Sequence, residues 1–178
     1  MKDRWALAPA FIAALILVFS QSAFAEKAAA VLKGTDPNSP LAGSARFEDT
    51  DDGLQVEVNV FSAPPGLHGI HIHEKGSCED KGNAAGGHFN PDGTSHGLIT
   101  TDGFAKAHPG DLGNIEIDEN GEGMLFLVVP GLTIHGGKYD IGSHAVILHE
   151  KEDNFGQPTG NAGGRIACGV IESTQEQH

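Results

Sequence analysis

The sequence carries a dense group of histidines in GLHGIHIHEKGSC, residues 66–78, where His68, His71 and His73 fall within six positions. Residues two apart on a β-strand point to the same face, so His71 and His73 would project together. Two imidazoles side by side form half of a site for a metal ion such as zinc or copper. His68 lies an odd number of positions away and would face the other side, where we expect it to bond backbone groups as a supporting residue.

Further metal-binding side chains lie beyond this segment. His149 ends a second strand-like segment, SHAVILHE, whereas His144 lies five positions earlier and faces the opposite way, so we exclude it. His135 lies in a predicted turn and is interpreted as a surface histidine. The segment between the two strands adds His88, His96, His108 and Asp111. Three histidines with an aspartate suit zinc and four histidines suit copper(II), but spacing leaves open which loop histidine joins which site.

The elements that must position these side chains are short strands. Apolar residues alternate with polar ones in LQVEVNV, residues 54–60, and no long helical stripe follows the N-terminal segment. Asn120-Gly121 predicts a two-residue hairpin turn. The other strand-like segments are AAAVLKG, GSARFED, GIHIHE, GNIEIDE, GMLFLVV, SHAVILHE and RIACGVI. About eight short strands predict an all-β sandwich or barrel.

Two segments are too long and irregular to be tight turns. They span about residues 74–110 and about residues 151–164, and they contain histidines, aspartates and glycines rather than a Ser/Gly repeat. Long irregular segments within a compact domain are usually functional or disordered. The composition of these two favours function, so we expect them to form the rest of the metal site.

The N-terminal residues 1–25 have the pattern of a secretory signal peptide. Lys2 and Arg4 precede an apolar run from Ala8 to Phe19, and Ala23-Phe24-Ala25 forms an A-x-A cleavage site. An uncleaved anchor is the alternative, which the cleavage site disfavours. Removal of this segment would leave residues 26–178 as one domain, with no membrane attachment.

The charge and the cysteines narrow the class of protein. The formal net charge of the chain is −13 at pH 7, which disfavours nucleic acid or an anionic membrane as a partner. The two cysteines are Cys78 and Cys168. In an exported protein such a pair most simply forms one disulfide, whereas two free thiols would suit a cytosolic protein.

Five motifs resemble those of the copper/zinc superoxide dismutase family, in the same order and over essentially the whole mature chain. They are GLHGIHIHEKGSC, GGHFNP, HPGDLGN, HEKEDNFG and TGNAGGRIACGVI. The resemblance implies an eight-stranded Greek-key sandwich or barrel with two long functional loops. It implies an exported, bacterial-type enzyme of the periplasm that converts superoxide to oxygen and hydrogen peroxide by ping-pong cycling. One copper and one zinc ion per chain, and a homodimer, belong to the same expectation.

The resemblance also implies a role for each motif residue. The implied copper ligands are His71, His73, His88 and His149, and the implied zinc ligands are His88, His96, His108 and Asp111. His88 would bridge both metals as an imidazolate and take up a proton during catalysis, and Arg165 would stand beside copper.

Three further roles follow from the same motifs. Asp153 would link a copper histidine to a zinc histidine, namely His71 and His96, and so fix their orientation. Thr159 would narrow the channel to copper. Cys78 and Cys168 would form the disulfide of the family.

The chain departs from the family pattern in its second loop. The segment from Lys151 to Gly164 is shorter than in many eukaryotic members, and Pro158 stands where those often have a lysine. Substrate steering and dimer geometry are therefore open. Two other functions on the same fold are a non-catalytic metal-binding module, which has no use for Arg165, and a copper-delivery domain, which would need more than two cysteines.

Overall fold

The computed structural model of the protein describes residues 25–174, so all but the last residue of the predicted signal peptide lies outside the described residues. All eight predicted strands are present, with ends shifted by three residues or fewer. They are β1 Lys27–Gly34, β2 Ala42–Thr50, β3 Gly53–Phe61, β4 Gly66–His73, β5 Asp111–Ile117, β6 Gly123–Val129, β7 Ala145–His149 and β8 Arg165–Val170. A two-residue strand β9, Glu172–Ser173, a 3-10 helix Asp80–Ala85 and a four-residue helix α1, Ile99–Asp102, complete the described elements.

The period-two pattern of β3 builds one wall of the core. Leu54, Val56, Val58 and Val60 are fully buried, and Phe47 of the neighbouring β2 is 2% exposed. Burial of a side chain of this size contributes about 1.5–3 kcal/mol, so these alternate positions set which face of the strand turns inward. The hydrophobic pattern therefore fixes the register that the sheet adopts.

The strands form a nearly closed antiparallel barrel in the order β5-β4-β7-β8-β1-β2-β3-β6. The outer strands β5 and β6 approach one another closely, since a Cβ on Gly123 would lie 2.5 Å from the carbonyl oxygen of Glu116. β4 pairs with β7, and β8 pairs with β1, across long sequence separations. This connectivity confirms the Greek-key barrel, and it brings β4, β7 and β8 side by side.

The β5–β6 hairpin has a turn at the predicted place that is longer than predicted. The backbone N–H of Asp118 donates to Glu122 O at 2.9 Å, which leaves three residues, 119–121, in the loop. Gly121 adopts a φ of 82°, the left-handed conformation that glycine accepts at least cost. Three-residue loops of this kind also suit the twist of the strands, so the two-residue prediction was wrong by one position.

Two long connections leave one end of the barrel and form the site. One runs from the end of β4 to the start of β5, and the other from β7 to β8. We call them the first loop, residues 74–110, and the second loop, residues 150–164. The predicted disulfide between Cys78 and Cys168 is present, with Cα atoms 5.7 Å apart, and it fastens the first loop to β8. None of the helices formed by residues 25–174 has the length and apolar character of a membrane span.

Candidate metal centre

Strands β4 and β7 bring three predicted copper ligands together. The ring centroids of His71 and His149 lie 4.9 Å apart, and Nε2 of His73 lies 3.4 Å from Nε2 of His149. The pairing register shifts at His71 in β4 and at His149 in β7, and bulges of this kind re-aim side chains. The barrel wall therefore holds these three imidazoles, which we call the strand-borne cluster.

In each imidazole of the strand-borne cluster, one ring nitrogen donates a hydrogen bond to an oxygen and the other keeps its lone pair. A neutral imidazole carries a single N–H, so a nitrogen that donates to an oxygen leaves the other with a lone pair. His71 Nδ1 is such an atom: it is buried and has no hydrogen-bond partner. The donated bonds are His71 Nε2 to Asp153 Oδ2 at 2.7 Å, His73 Nδ1 to Gly86 O at 2.9 Å and His149 Nδ1 to Gly163 O at 3.2 Å. Three lone pairs are thus available to a metal ion.

The protonation of this cluster agrees with that geometry. Burial lowers the pKa of His73 to about 2 and the pKa of His149 to about 3, because the charged imidazolium loses its hydration. Repulsion from neighbouring histidines and from Arg165 acts in the same direction. Both rings are neutral at pH 7, the form that binds a metal.

A second cluster forms around Asp111, the first residue of β5. Its Oδ1 lies 2.8 Å from His88 Nδ1 and 3.0 Å from His108 Nδ1. Its Oδ2 lies 2.9 Å from His96 Nδ1, yet these two atoms are not aligned for a hydrogen bond, and His96 Nδ1 is buried without a partner. Nitrogen and carboxylate ligands that converge in this way suit zinc. We call His96, His108 and Asp111 the loop-borne cluster.

The HPGD sequence explains how Asp111 meets His108. Pro109 and Gly110 make a bend in which the N–H of Asp111 donates to His108 O at 3.0 Å. The N–H of His108 in turn donates to Asp111 Oδ2 at 2.9 Å. Gly110 also lies against Ile72 O so closely that a Cβ would not fit. The bend therefore presses this pair against β4.

His88 belongs to both clusters. Its ligand atoms lie within 4.8 Å of those of His71, His73 and His149, and also of those of His96, His108 and Asp111. The N–H of the next residue, Phe89, donates to Ile72 O at 2.8 Å, which aligns this part of the first loop with β4. Burial lowers the pKa of His88 to about 4, although Asp111 opposes the shift. An imidazole that has two ring nitrogens and lies between two clusters is placed to bridge two metal ions.

Asp153 of the second loop connects the two clusters through hydrogen bonds. It is fully buried, and it accepts N–H groups from His71 Nε2 at 2.7 Å and from His96 Nε2 at 2.9 Å. Burial would raise the pKa of its carboxyl group, but the hydrogen bonds from the two histidines outweigh burial and lower it. Asn114 holds its backbone with two bonds, of 2.9 Å and 2.7 Å.

Arg165 lies at the opening of the strand-borne cluster. Its Nη2 donates to Gly86 O at 2.6 Å, and its Nη1 donates to Gly82 O. A cavity between the two loops is lined by His73, Gly87, His88, His149, Thr159 and Arg165, among others. The structure thus brings Arg165 and Thr159 to the same opening as the histidines.

His68 lies apart from the ligand clusters and bonds backbone on both sides. It is 3% exposed, with Nδ1 at 2.8 Å from His149 O and Nε2 at 2.9 Å from Pro64 O. It therefore ties the turn before β4 to the end of β7. The excluded histidines also lie outside the clusters: His135 is exposed, and His144 packs against Phe89 with ring centroids 4.4 Å apart.

Sequence reasoning did not single out three residues that support this centre. They are Asn114, Gln157 and Gly160. Gly160 packs so tightly that a Cβ there would collide with the Asp153 carboxylate and lie 2.7 Å from His96 Nε2. Asn114 and Gly160 belong to the quoted motifs HPGDLGN and TGNAGG, which were the available signal. Gln157 had none.

Comparison with known proteins agrees with this geometry. Residues 41–171 match the family model described as copper/zinc superoxide dismutase. The chain is 38% identical over 144 residues to an extracellular superoxide dismutase [Cu-Zn] of Caenorhabditis elegans, covering 77% of this chain but only 63% of that protein. It is 35% identical over 164 residues to superoxide dismutase [Cu-Zn] 2 of Aquifex aeolicus, covering 88% of this chain and 93% of that one.

Two further matches extend over similar lengths. Superoxide dismutase [Cu-Zn] A of Xenopus laevis is 40% identical over 153 residues, covering 82% of this chain and 96% of that protein. A crystal structure of the clock protein EA4 matches with a TM-score of 0.73 and 38% identity, covering 82% of this chain and 93% of that one. Sequence and fold therefore agree over most of the chain.

Proposed function

The chain belongs to the copper/zinc superoxide dismutase family, and we propose that it converts superoxide to oxygen and hydrogen peroxide at the paired histidine clusters. One observation carries the proposal. His88 completes both buried clusters to four residues each, and the strand-borne cluster opens beside the Arg165 guanidinium. A module that only stored metal would need the ligands but would have no use for a cation at the opening.

The residues fit one copper and one zinc ion. His71, His73, His88 and His149 would hold copper, and His88, His96, His108 and Asp111 would hold zinc. The unpartnered, buried Nδ1 atom of His71 supports the copper assignment, because its lone pair would otherwise stay unsatisfied. The convergence of His96 Nδ1 and His108 Nδ1 on the Asp111 carboxylate supports the zinc assignment. Bound copper supplies one-electron redox chemistry for superoxide, whereas zinc keeps a single valence.

His88 is the residue placed to hold a proton for the reduced product. Its Nδ1 faces Asp111 and His108, so Nε2 is the nitrogen left for the copper side. The reaction consumes two superoxide ions and two protons for each oxygen and hydrogen peroxide formed. A proton held on Nε2 of His88 would lie beside the open cavity, where the reduced product forms.

Arg165 is the residue placed to bind the anion. Its guanidinium has five N–H donors, and the carbonyl groups of Gly82 and Gly86 fix its plane while leaving other donors free for superoxide. Thr159 lines the same cavity and would limit the size of the entering anion. A local cation also offsets the repulsion of superoxide by a chain of net charge −13.

We further propose that the protein is exported to the periplasm after removal of residues 1–25, leaving residues 26–178 as the enzyme. The Cys78–Cys168 disulfide supports an oxidising compartment, and the Caenorhabditis elegans relative is named extracellular. Mass spectrometry of the periplasmic fraction should find a mature chain that begins at Glu26; a cytosolic chain that begins at Met1 would contradict this. The homodimer stays a prediction, which sedimentation equilibrium would test.

The test of the enzymatic function is a metal analysis of the purified mature protein combined with a superoxide dismutation assay. We expect about one copper and one zinc ion per chain, and catalysis that depends on copper. Arg165→Glu should keep both metals and lose most of the activity. Protein that binds both metals but does not catalyse dismutation would contradict the proposal and favour a metal-binding module.

A further inference from the structure

The side chain of Gln157, in the second loop, is hydrogen-bonded to both backbone groups of His96, in the first loop. Its Oε1 accepts the N–H of His96 at 3.0 Å, and its Nε2 donates to His96 O at 2.8 Å. The two residues lie 61 positions apart in sequence. An amide that satisfies both a donor and an acceptor of one residue restrains the position and the rotation of that backbone unit.

His96 needs such a restraint, because it lies in neither a helix nor a strand. The turn made by Asn90 and Thr94 ends before it, and α1 begins after it at Ile99. Among the backbone hydrogen bonds of residues 25–174, none involves the N–H or the C=O of His96. Gln157 therefore supplies the bonds that a strand supplies to His71 and His73.

Three alternate residues of the second loop contact His96. Asp153 accepts its Nε2 N–H, and Gln157 holds its backbone. The ring of Phe155, between them, lies nearly parallel to the His96 ring at 6.3 Å between centroids, with 19° between the planes. Phe155 adopts a φ of 57°, which is costly for a bulky residue and indicates that its surroundings hold it there. One short segment thus fixes the ring, the backbone and one face of a single histidine.

We propose that Gln157 is a positioning residue for the zinc site: it fixes the backbone of His96 so that Nδ1 faces Asp111 before the metal binds. This inference rests on the proposed function, since it takes His96 as a zinc ligand. Ordering a loop residue costs conformational entropy, and a residue already ordered by Gln157 does not incur that cost when zinc binds. Loss of Gln157 should therefore weaken zinc retention and distort the zinc geometry, with little effect on copper.

The experiment compares Gln157→Met and Gln157→Glu with the wild type, each as full mature protein. Gln157→Met keeps the length of the side chain and removes both hydrogen bonds. Gln157→Glu keeps an acceptor for the His96 N–H but places a carboxylate oxygen against the His96 carbonyl. We expect zinc release to a chelator to be about tenfold faster in both variants, as for other residues that orient metal ligands. The visible spectrum of cobalt(II) in the zinc site should change, while copper content stays that of the wild type.

The matched control is Asn154→Ala. It breaks hydrogen bonds to Gly156 and Asn161 within the second loop and touches no residue of the first loop through them. Its zinc release and cobalt spectrum should match the wild type. The inference would be overturned if Asn154→Ala released zinc as fast as the Gln157 variants. It would also be overturned if Gln157→Met kept the zinc release rate and the cobalt(II) spectrum of the wild type. A wild-type protein that binds no zinc would instead overturn the proposed function, and the inference with it.

Discussion

The strand-borne and loop-borne clusters reach similar burial by different means. His71 and His73 are held by the backbone pairing of β4 with β7, and His149 by the pairing of β7 with β8. Each of the three donates its spare N–H to a single oxygen. His96 and His108 lie in the first loop and converge on the carboxylate of Asp111. The first cluster is rigid because its backbone is part of the barrel wall, and the second because charged and amide side chains hold it.

The two clusters also differ in protonation. Burial lowers the pKa of His73 and His149 far below 6.5. Burial would lower the pKa of His96 as well, but the Asp111 carboxylate beside its Nδ1 and the hydrogen bond from its Nε2 to Asp153 raise it to about 9. An open cluster that contains the neutral rings of His73 and His149 suits a metal that meets substrate, and a closed cluster with an anionic ligand suits a metal that stays in place. Under the proposed assignment, this difference in burial and charge would direct copper to the first cluster and zinc to the second.

The largest expected effect comes from His149→Ala, which breaks the strand-borne cluster alone. We expect copper to be lost and activity to fall to background, because one of four ligands is gone and the opening faces water. Zinc should remain, since His149 is not part of the loop-borne cluster. Metal analysis and a dismutation assay measure both. His144→Ala, outside both clusters, should behave as the wild type; loss of zinc with copper in His149→Ala would show that the clusters are not separable.

Reduction of the Cys78–Cys168 disulfide should act mainly on the strand-borne cluster. The segment after Cys78 supplies Gly86 O, which accepts N–H groups from both His73 and Arg165. The bond spans 90 positions of sequence, for which loop-closure entropy predicts about 4–5 kcal/mol of stabilisation. Denaturant unfolding of Cys78→Ser against the oxidised wild type measures this. An unchanged free energy of unfolding would mean that the fold does not depend on the bridge.

The pH dependence of the metal-free protein should separate the clusters. His73 and His149 stay neutral in the folded state down to about pH 2–3, whereas the unfolded chain protonates them below about pH 6.5. Stability should therefore fall as pH drops from about 6.5 towards 4, by up to about 1.4 kcal/mol per pH unit for each histidine. The contribution of His96 to stability changes with pH in the opposite direction, because its pKa in the folded state, about 9, lies above the 6.5 of the unfolded chain. Its contribution is complete below pH 6.5 and is lost as pH rises through 9.

Urea titrations of the metal-free protein between pH 4 and 10 would measure this profile. We expect a maximum of the free energy of unfolding near neutral pH, with the loss at acid pH assigned to His73, His149 and the shared His88. His96→Gln should remove the loss on the alkaline side and leave the acid side unchanged. A flat profile from pH 4 to 6.5 would contradict the neutral, buried state of His73 and His149.

Asp153→Asn should sharpen the comparison, because Asp153 contacts one histidine of each cluster. The amide keeps one acceptor oxygen and replaces the other by a donor, so one of the two N–H groups loses its partner. We expect zinc affinity to fall about 10- to 100-fold and copper affinity to fall less, since β4 and β7 still hold three copper ligands. Competition with chelators measures both affinities. An equal loss for both metals would mean that strand pairing does not protect the copper site.

The smallest expected effect is that of Lys151→Glu on substrate encounter. Lys151 is exposed, two positions after His149, and its side chain passes beside Gly163 near the opening. The bimolecular rate should fall about two- to threefold at low salt and recover as salt is raised, because screening acts beyond about 8 Å at physiological ionic strength. Stopped-flow assays over a range of ionic strength measure it. A loss of rate that does not depend on salt would mean that Lys151 is an ordinary surface lysine with no role in attracting superoxide.

Much of this protein could be predicted from short-range pattern alone. The alternation in β3 and the shared face of His71 and His73 in β4 depend on a period of two, which any β-strand imposes on its side chains. The resemblance of five motifs supplied the fold, the family and the disulfide, and the spacing of His71 and His73 on one strand indicated half of a metal site. The alternation and the paired histidines are local features, so the sequence by itself determined them, whereas the fold and the disulfide were predicted through the resemblance.

The tertiary structure decided which groups meet. Spacing left open which loop histidine joins which cluster. In the barrel, His88 lies against β4 and Asp111 lies at the start of β5, and these positions determine the two clusters. The turn at Asn120-Gly121 gained a residue, and Gln157 reached the backbone of His96 from 61 positions away. Such contacts have no sequence period, because they depend on where the closed barrel places two loops, and only its packing brings those atoms within hydrogen-bond distance.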